Sequence, residues 1–247
     1  MAASLGDQIL EHLQQVAQLR TAQKSEPEHL ECVRALKAYQ ARRFERAYDD
    51  LLKTPRYAAA TRFFLDELYG PQEFADRDAQ FARIVPSLVR MFSADMLATV
   101  ASLAELHALT EVMDDATARG LDGLRIDASA YIRAWQHAGR PDLRDRQIQL
   151  TLAIGKALDH FTQKRLFRTS LQLMRAPARA AGLGALQKFL EAGFDAFRAM
   201  KGAQEFLELV GNREKSLAQA LFSASKFNTL EPPDAFDLKP DNHLALL

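Results

Sequence analysis

A chain of 247 residues can bury a full core as one domain or divide into two small ones. Its 32 basic and 32 acidic residues cancel, which argues against a protein built mainly to coat nucleic acid, where a basic excess is usual. The one cysteine, Cys32, excludes an internal disulfide framework and a cysteine-based zinc site, and fits a reducing cytoplasm.

Nearly every segment has a helical period. Met1 to Asp7 lacks a basic region followed by an apolar core, so no signal peptide is expected. Ile9, Leu10, Leu13, Val16 and Leu19 predict a helix from about Ser4 to Arg20, followed by a polar loop from Thr21 to Ser25. Ser25-Glu26-Pro27-Glu28 has the pattern of an N-cap followed by proline in the first turn. The helix it opens is expected to run through Leu30, Val33, Leu36, Tyr39, Phe44 and Leu51 to about Lys53, with Cys32 as a small buried hydrophobe. Thr54-Pro55 repeats the device and opens the helix of Thr61 to Gly70. There Phe63, Phe64, Leu65, Leu68 and Tyr69 make an apolar face, Asp66 and Glu67 point elsewhere, and Gly70-Pro71 stops the helix.

Phe74 to Phe92 is helical again, with a kink or break expected near Val85 because Pro86 lies inside it. Ser93 or Asp95 caps a long helix through Met96, Val100, Leu103, Leu106, Leu109 and Met113. Its uncharged apolar run, Met96 to Ala104, is far short of the ~20 residues of a membrane helix, so no transmembrane segment is expected. Gly120 and Gly123 mark a loop, and Asp127 to Ala138 is a short helix holding the lone Trp135. Further helices run from Pro141 towards Phe161 and from Leu166 to Met174, before Pro177. Ala178 to Met200 carries a wide apolar stripe interrupted by Gly182, Gly184 and Gly193. Each such glycine costs about 1 kcal/mol relative to alanine inside a helix, which points to close approach of another helix or, alternatively, of a ligand. Gly202 opens a last helix through Phe206, Val210, Leu217 and Leu221.

After Ser225 the prolines Pro232, Pro233 and Pro240 exclude regular structure, while Phe227, Phe236, Leu238 and Leu244 are apolar. Residues 226–247 are expected to be an extended C-terminal arm laid on its own subunit or a neighbour, or else a disordered terminus. The fold expected over residues 1–225 is all-α, a single multi-helical bundle of about eight to ten helices.

The run Phe63-Phe64-Leu65-Asp66-Glu67-Leu68-Tyr69 resembles the motif of the bacterial FFLEELY-motif proteins, with aspartate in place of one glutamate. Arg77-Asp78 to Arg83-Ile84-Val85-Pro86 and Leu173 to Arg179 with Phe189-Leu190 look like the same family, and the likeness runs from about Tyr39 to Phe222. It implies a bacterial helical protein with no activity assigned, and brings no catalytic residues.

His107 and Glu111 lie four apart on one helix, near Glu105 and Asp114, and could ligate a divalent ion; a solvated pair is the simpler account. Glu26 and His29 straddle a proline and have the pattern of a capping motif. There is no nucleophile elbow, dinucleotide fingerprint or phosphate loop. Asp66 and Glu67, with Arg62, Arg77 and Arg83 nearby, form either a structural ion-pair network or a carboxylate pair in a cleft shared with Tyr57 and Tyr69. Lys164, Arg165, Arg168, Arg175 and Arg179 occupy a stretch with no acid, and Arg175 and Arg179 flank Pro177 where a helix is expected to begin. A helix N-terminus with two guanidiniums suits an anionic small molecule, a lipid headgroup or an acidic partner; pairing with acids of neighbouring helices is the simpler account. The function expected is a non-catalytic cytoplasmic binding or regulatory protein for an anionic ligand or protein partner. A metal- or haem-dependent helical-bundle enzyme and a homo-oligomeric scaffold joined through the arm are the alternatives.

Overall fold

Helices α1 (Leu5–Lys24), α2 (Pro27–Ala47), α3 (Asp49–Lys53) and α4 (Ala58–Glu67) build the first quarter of the computed structural model, which describes residues 3–67 and 75–224. They are followed by α5 (Ala75–Met91), α6 (Ala94–Ala118), α7 (Ala128–Ala138) and α8 (Pro141–Thr162), then α9 (Arg165–Leu173), α10 (Arg175–Ala180), α11 (Gly184–Ala199) and α12 (Gln204–Ser223). No strand occurs among the described residues, so the fold is all-α. The helix-stopping Gly70-Pro71, Leu68 and Tyr69, and the arm 226–247, lie outside the described residues.

Among the described residues the helices number twelve, against the eight to ten expected, because tertiary contacts and local stereochemistry cut the longer runs. Tyr48 leaves helical geometry (φ −119°, ψ 19°) and ends α2. Its ring is fully buried and its hydroxyl donates to Glu214 Oε1 at 2.7 Å. Gly182, at φ +71°, takes the left-handed conformation that separates α10 from α11, so the single helix expected from Ala178 to Met200 is two. Pro177 lies inside α10, which begins at Arg175. Conversely, of the kink or break expected near Val85, the break does not occur: α5 continues through Pro86.

Caps set several starts. Ser4 and Asp7 form a reciprocal capping box at α1, and α1 runs on to Lys24, through the loop expected at Thr21–Ser25. Ser25 is the C-cap of α1 rather than the N-cap of α2, whose first helical residue is Pro27. Ser93 accepts from the Met96 amide to start α6, and Asp127 from the Ala130 amide to start α7.

The core falls into separate apolar clusters. In one, Phe63, Phe64 and Leu65 of α4 pack on Phe197 and Met200 of α11 and Phe206 of α12. A Cβ on Gly193 would lie 2.9 Å from the Phe63 ring, so that glycine lets α11 approach α4. Of the three glycines in the stripe, Gly193 shows the tight packing expected, whereas Gly184 meets nothing within 4 Å and Gly182 lies between the two helices. A second cluster joins Val33, Leu36 and Tyr39 of α2 to Tyr131 and Trp135 of α7 and Leu217 and Leu221 of α12; Cys32 packs on its edge, half-buried. A third joins Ile9 and Leu13 of α1 to Val85 and Leu88 of α5 and Leu97 and Ala101 of α6.

Helix α6 runs between these clusters, packed by α1, α2, α7 and α8. By length and composition it is apolar enough to cross a bilayer. Its C-terminal half, however, buries Glu111, Asp114 and Asp115, and these acids bring polar side chains from the surrounding helices into the interior.

Candidate ligand cavity

A buried carboxylate must be paired or give up its charge, and the three acids of α6 resolve this in different ways. Glu111, 4 % exposed, accepts from Lys37 Nζ at 2.8 and 2.9 Å and from Arg20 Nη2 at 2.9 Å. Arg20 Nη1 bonds Asp78 Oδ2 at 2.8 Å, and that same oxygen lies 2.8 Å from His107 Nε2. A continuous ionic chain, Lys37–Glu111–Arg20–Asp78–His107, thus ties α1, α2 and α5 to α6. Burial works against the Glu111 carboxylate, but Lys37 and Arg20 together outweigh it and hold its pKa below the usual value. Burial likewise opposes the Asp115 charge, and bonds from Gln23 at 2.9 Å, His29 at 2.7 Å and Arg119 at 3.1 Å outweigh it, leaving its pKa lowered.

Asp114 differs. Its carboxyl accepts from Gln40 Nε2 at 3.1 Å, and burial dominates the attraction of Lys37 and Arg144, so its pKa is raised. One turn from a carboxylate locked in its charged form stands one pushed towards its neutral form.

Beside this row lies a cavity of ≈ 220 Å³. Its wall near Asp114 is polar: Gln40 and Arg43 of α2, Tyr131 and Trp135 of α7, Arg144 and Gln147 of α8, and Glu214 of α12. The Arg144 guanidinium stacks over the Trp135 ring at 3.8 Å and donates from Nη2 to Thr117 Oγ1 at 2.8 Å and from Nη1 to Gln147 Oε1 at 3.2 Å. Arg43 lies 3.8 Å from Glu214. Towards the N-terminal half of α6 the wall turns apolar, with Phe81, Leu103 and Leu152, and with Leu186, Phe189 and Leu190 of α11. Leu103 and Asp114 are eleven residues apart in sequence, or roughly 16 Å at the helical rise, so the cavity is amphipathic along its length.

Trp135 Nε1 and the Tyr131 hydroxyl are among the buried polar atoms of this wall with no hydrogen-bond partner among the described residues. Trp135 is 8 % exposed and Tyr131 wholly buried. Gln40 and the Tyr131 hydroxyl lie close together but outside bonding geometry, and burial raises the tyrosine pKa. Buried donors are ordinarily paired, so two on one cavity wall point to an acceptor brought by something else.

The residues singled out in the sequence are distributed differently. His107 and Glu111 both face the cavity, but His107 meets Asp78 and Glu111 holds two cations. No group of three or more His, Cys, Asp or Glu able to hold a metal occurs among the described residues. Phe63 and Phe64 are core, Asp66 is exposed, and Glu67 is half-buried on the cavity wall. Arg175 makes a bidentate pair with Glu191 at 2.6 and 2.8 Å, Arg168 lies 3.8 Å from Asp195, and Arg179 is exposed. The guanidiniums of Arg168 and Arg175 thus turn to acids of α11. Arg144, Trp135, Tyr131, Lys37 and Arg43 were not marked as site residues. The readable signal is on α6, where Glu111, Asp114 and Asp115 fall together in a helix otherwise rich in apolar residues.

No curated protein and no solved structure matches this chain. A family model described as a domain of unknown function (DUF8198) matches residues 19–227, which include the FFLDE helix and every helix lining the cavity except most of α1, whose residues 5–18 precede the match. The chain belongs to that family, whose function is not assigned.

Proposed function

We propose that the protein is a non-catalytic cytoplasmic binding protein that holds a small molecule in the α6 cavity. The observation that carries this reading is the pair of unsatisfied buried groups, Trp135 Nε1 and the Tyr131 hydroxyl, on the wall of a cavity that is polar at one end and apolar at the other. Few convergent polar groups in a mostly apolar cavity are the usual form of a small-molecule site. The volume of ≈ 220 Å³ exceeds the ~150 Å³ of an engineered apolar cavity that takes up benzene. The anionic ligand expected from the sequence is retained in this reading, but its site moves from Arg168, Arg175 and Arg179 to the α7–α8 end of the cavity. The test is native mass spectrometry of untagged protein from its own type of cell, with metal analysis of the same sample. A small molecule retained at one per chain and lost from Trp135→Phe supports the reading. Mass addition that survives this substitution and a bulky Leu186→Trp block of the other end would place the ligand elsewhere and overturn it.

A further inference from the structure

Resting on the cavity reading, we infer that the ligand is a small amphipathic carboxylate, its head group against Trp135, Tyr131 and Arg144 and its hydrocarbon body directed along α6 towards Leu186 and Phe189.

The head-group assignment follows from donors and charge. The unsatisfied Trp135 Nε1 can only donate and the Tyr131 hydroxyl can donate, so both favour an acceptor, and a primary ammonium would offer them none. Lys37, Arg43 and Arg144 face Glu111, Asp114 and Glu214 at this end. Burial opposes the Asp114 charge, so of the acids at this end it is the one that resists an anion least. Arg144, 3.8 Å over the Trp135 ring and anchored by Thr117 and Gln147, brings a fixed guanidinium charge to the same place.

The body is set by the other end, where Phe81, Leu103, Leu152, Leu186 and Phe189 line the wall, with Glu67, Asp78 and His107 among the polar side chains outside the head-group end. The cavity volume of ≈ 220 Å³ lies below the ~300 Å³ at which drug-sized pockets begin, which limits the body to a chain of about eight carbons or a single substituted ring. Leu190, on this wall and 40 % exposed, marks where the apolar end reaches the surface.

The experiment uses three probes with one tail: octanoate, octanamide and octylammonium. Binding to the full chain is followed by calorimetry and by the emission of Trp135, the single tryptophan. Octanoate is expected to bind, octanamide roughly tenfold or more weakly, as for loss of a charge-assisted hydrogen bond, and octylammonium not measurably. Arg144→Gln should bring octanoate down to the octanamide level while leaving octanamide affinity nearly unchanged. Arg144→Lys, which keeps the charge should the glutamine variant fold poorly, should retain part of the preference. Leu186→Phe should shorten the longest acid accepted. Equal binding of octanoate and octanamide, or preference for octylammonium, would overturn the carboxylate assignment while leaving the cavity reading in place. Octanoate binding that is unaffected at both Arg144 and Leu186 would overturn the orientation. Failure of all three probes, with another molecule retained from the cell and lost from Trp135→Phe, would overturn the class but not the cavity.

Discussion

The helix α4 and the C-terminal half of α6 are buried to similar depth, yet they are held by opposite means. Around α4 the interior is aromatic: Phe64 meets Phe206 edge-on at 5.6 Å and Phe197 at 6.2 Å, and Phe63 meets Phe189 at 5.5 Å. Around α6 it is a lattice of charges with space left beside it. The sequence motif draws attention to α4, where the side chains serve packing. The features that could bind a ligand gather at α6, where no local motif announces them. A run of conspicuous aromatic residues is a good guide to the core and a poor one to the site.

The two regions should fail differently when altered. The largest effects are expected from Phe64→Ala and Glu111→Gln, each about 3–5 kcal/mol, the first from an aromatic void and the second from leaving buried cations without their carboxylate. Denaturant titration measures both. The distinction is that Phe64→Ala should leave ligand affinity intact in the protein that remains folded, whereas Glu111→Gln should lower it. Next, Gly193→Ala is expected to cost about 1–3 kcal/mol, because the new methyl would meet the Phe63 ring at 2.9 Å; a Phe63→Leu change in the same chain should recover part of that loss.

A smaller effect with a clear sign comes from pH. Glu111 and Asp115 have lowered pKa values, so the stability they contribute is present above the ordinary carboxylate range and is lost as pH falls through their folded values. Asp114 has a raised pKa; its contribution is full below the unfolded value of about 3.9 and is lost as pH rises through the folded one. Asp114→Asn should therefore leave the acid limb of the stability–pH curve unchanged and remove the decline on its alkaline side. A decline that persists in the asparagine variant would assign it to another group. The smallest effect on stability is expected from Trp135→Phe, about 1 kcal/mol or less since the ring volume is largely kept, while calorimetric ligand binding should fall sharply.

Helical periodicity marked out most of the helices, because each buries an apolar stripe of its own. What it could not locate were the breaks imposed from elsewhere. Tyr48 leaves helical geometry where its hydroxyl meets Glu214, 166 positions away, and no window around Tyr48 contains that cause. The run through Pro177 has a local cause, since the left-handed turn falls at Gly182, but three closely spaced glycines and a proline offered several places to put it. The cavity was least legible. Lys37, Tyr131, Arg144 and Glu214 come from four helices, and each taken singly looks like an ordinary residue of an amphipathic helix. His107 and Glu111 lie four apart on one helix in the sequence, but the side chains that meet them, Asp78, Arg20 and Lys37, lie 29, 91 and 74 positions off.

The ionic chain from Lys37 to His107 also constrains how this sequence can drift. Glu111 and Arg20 each meet two charged neighbours, so neither charge can be exchanged without stranding another in the interior. Within the family, loss of the acid equivalent to Glu111 is expected to come together with neutral residues at the positions of Lys37 and Arg20. The exposed pair Arg168 and Asp195 carries no such obligation, and its members should vary one at a time.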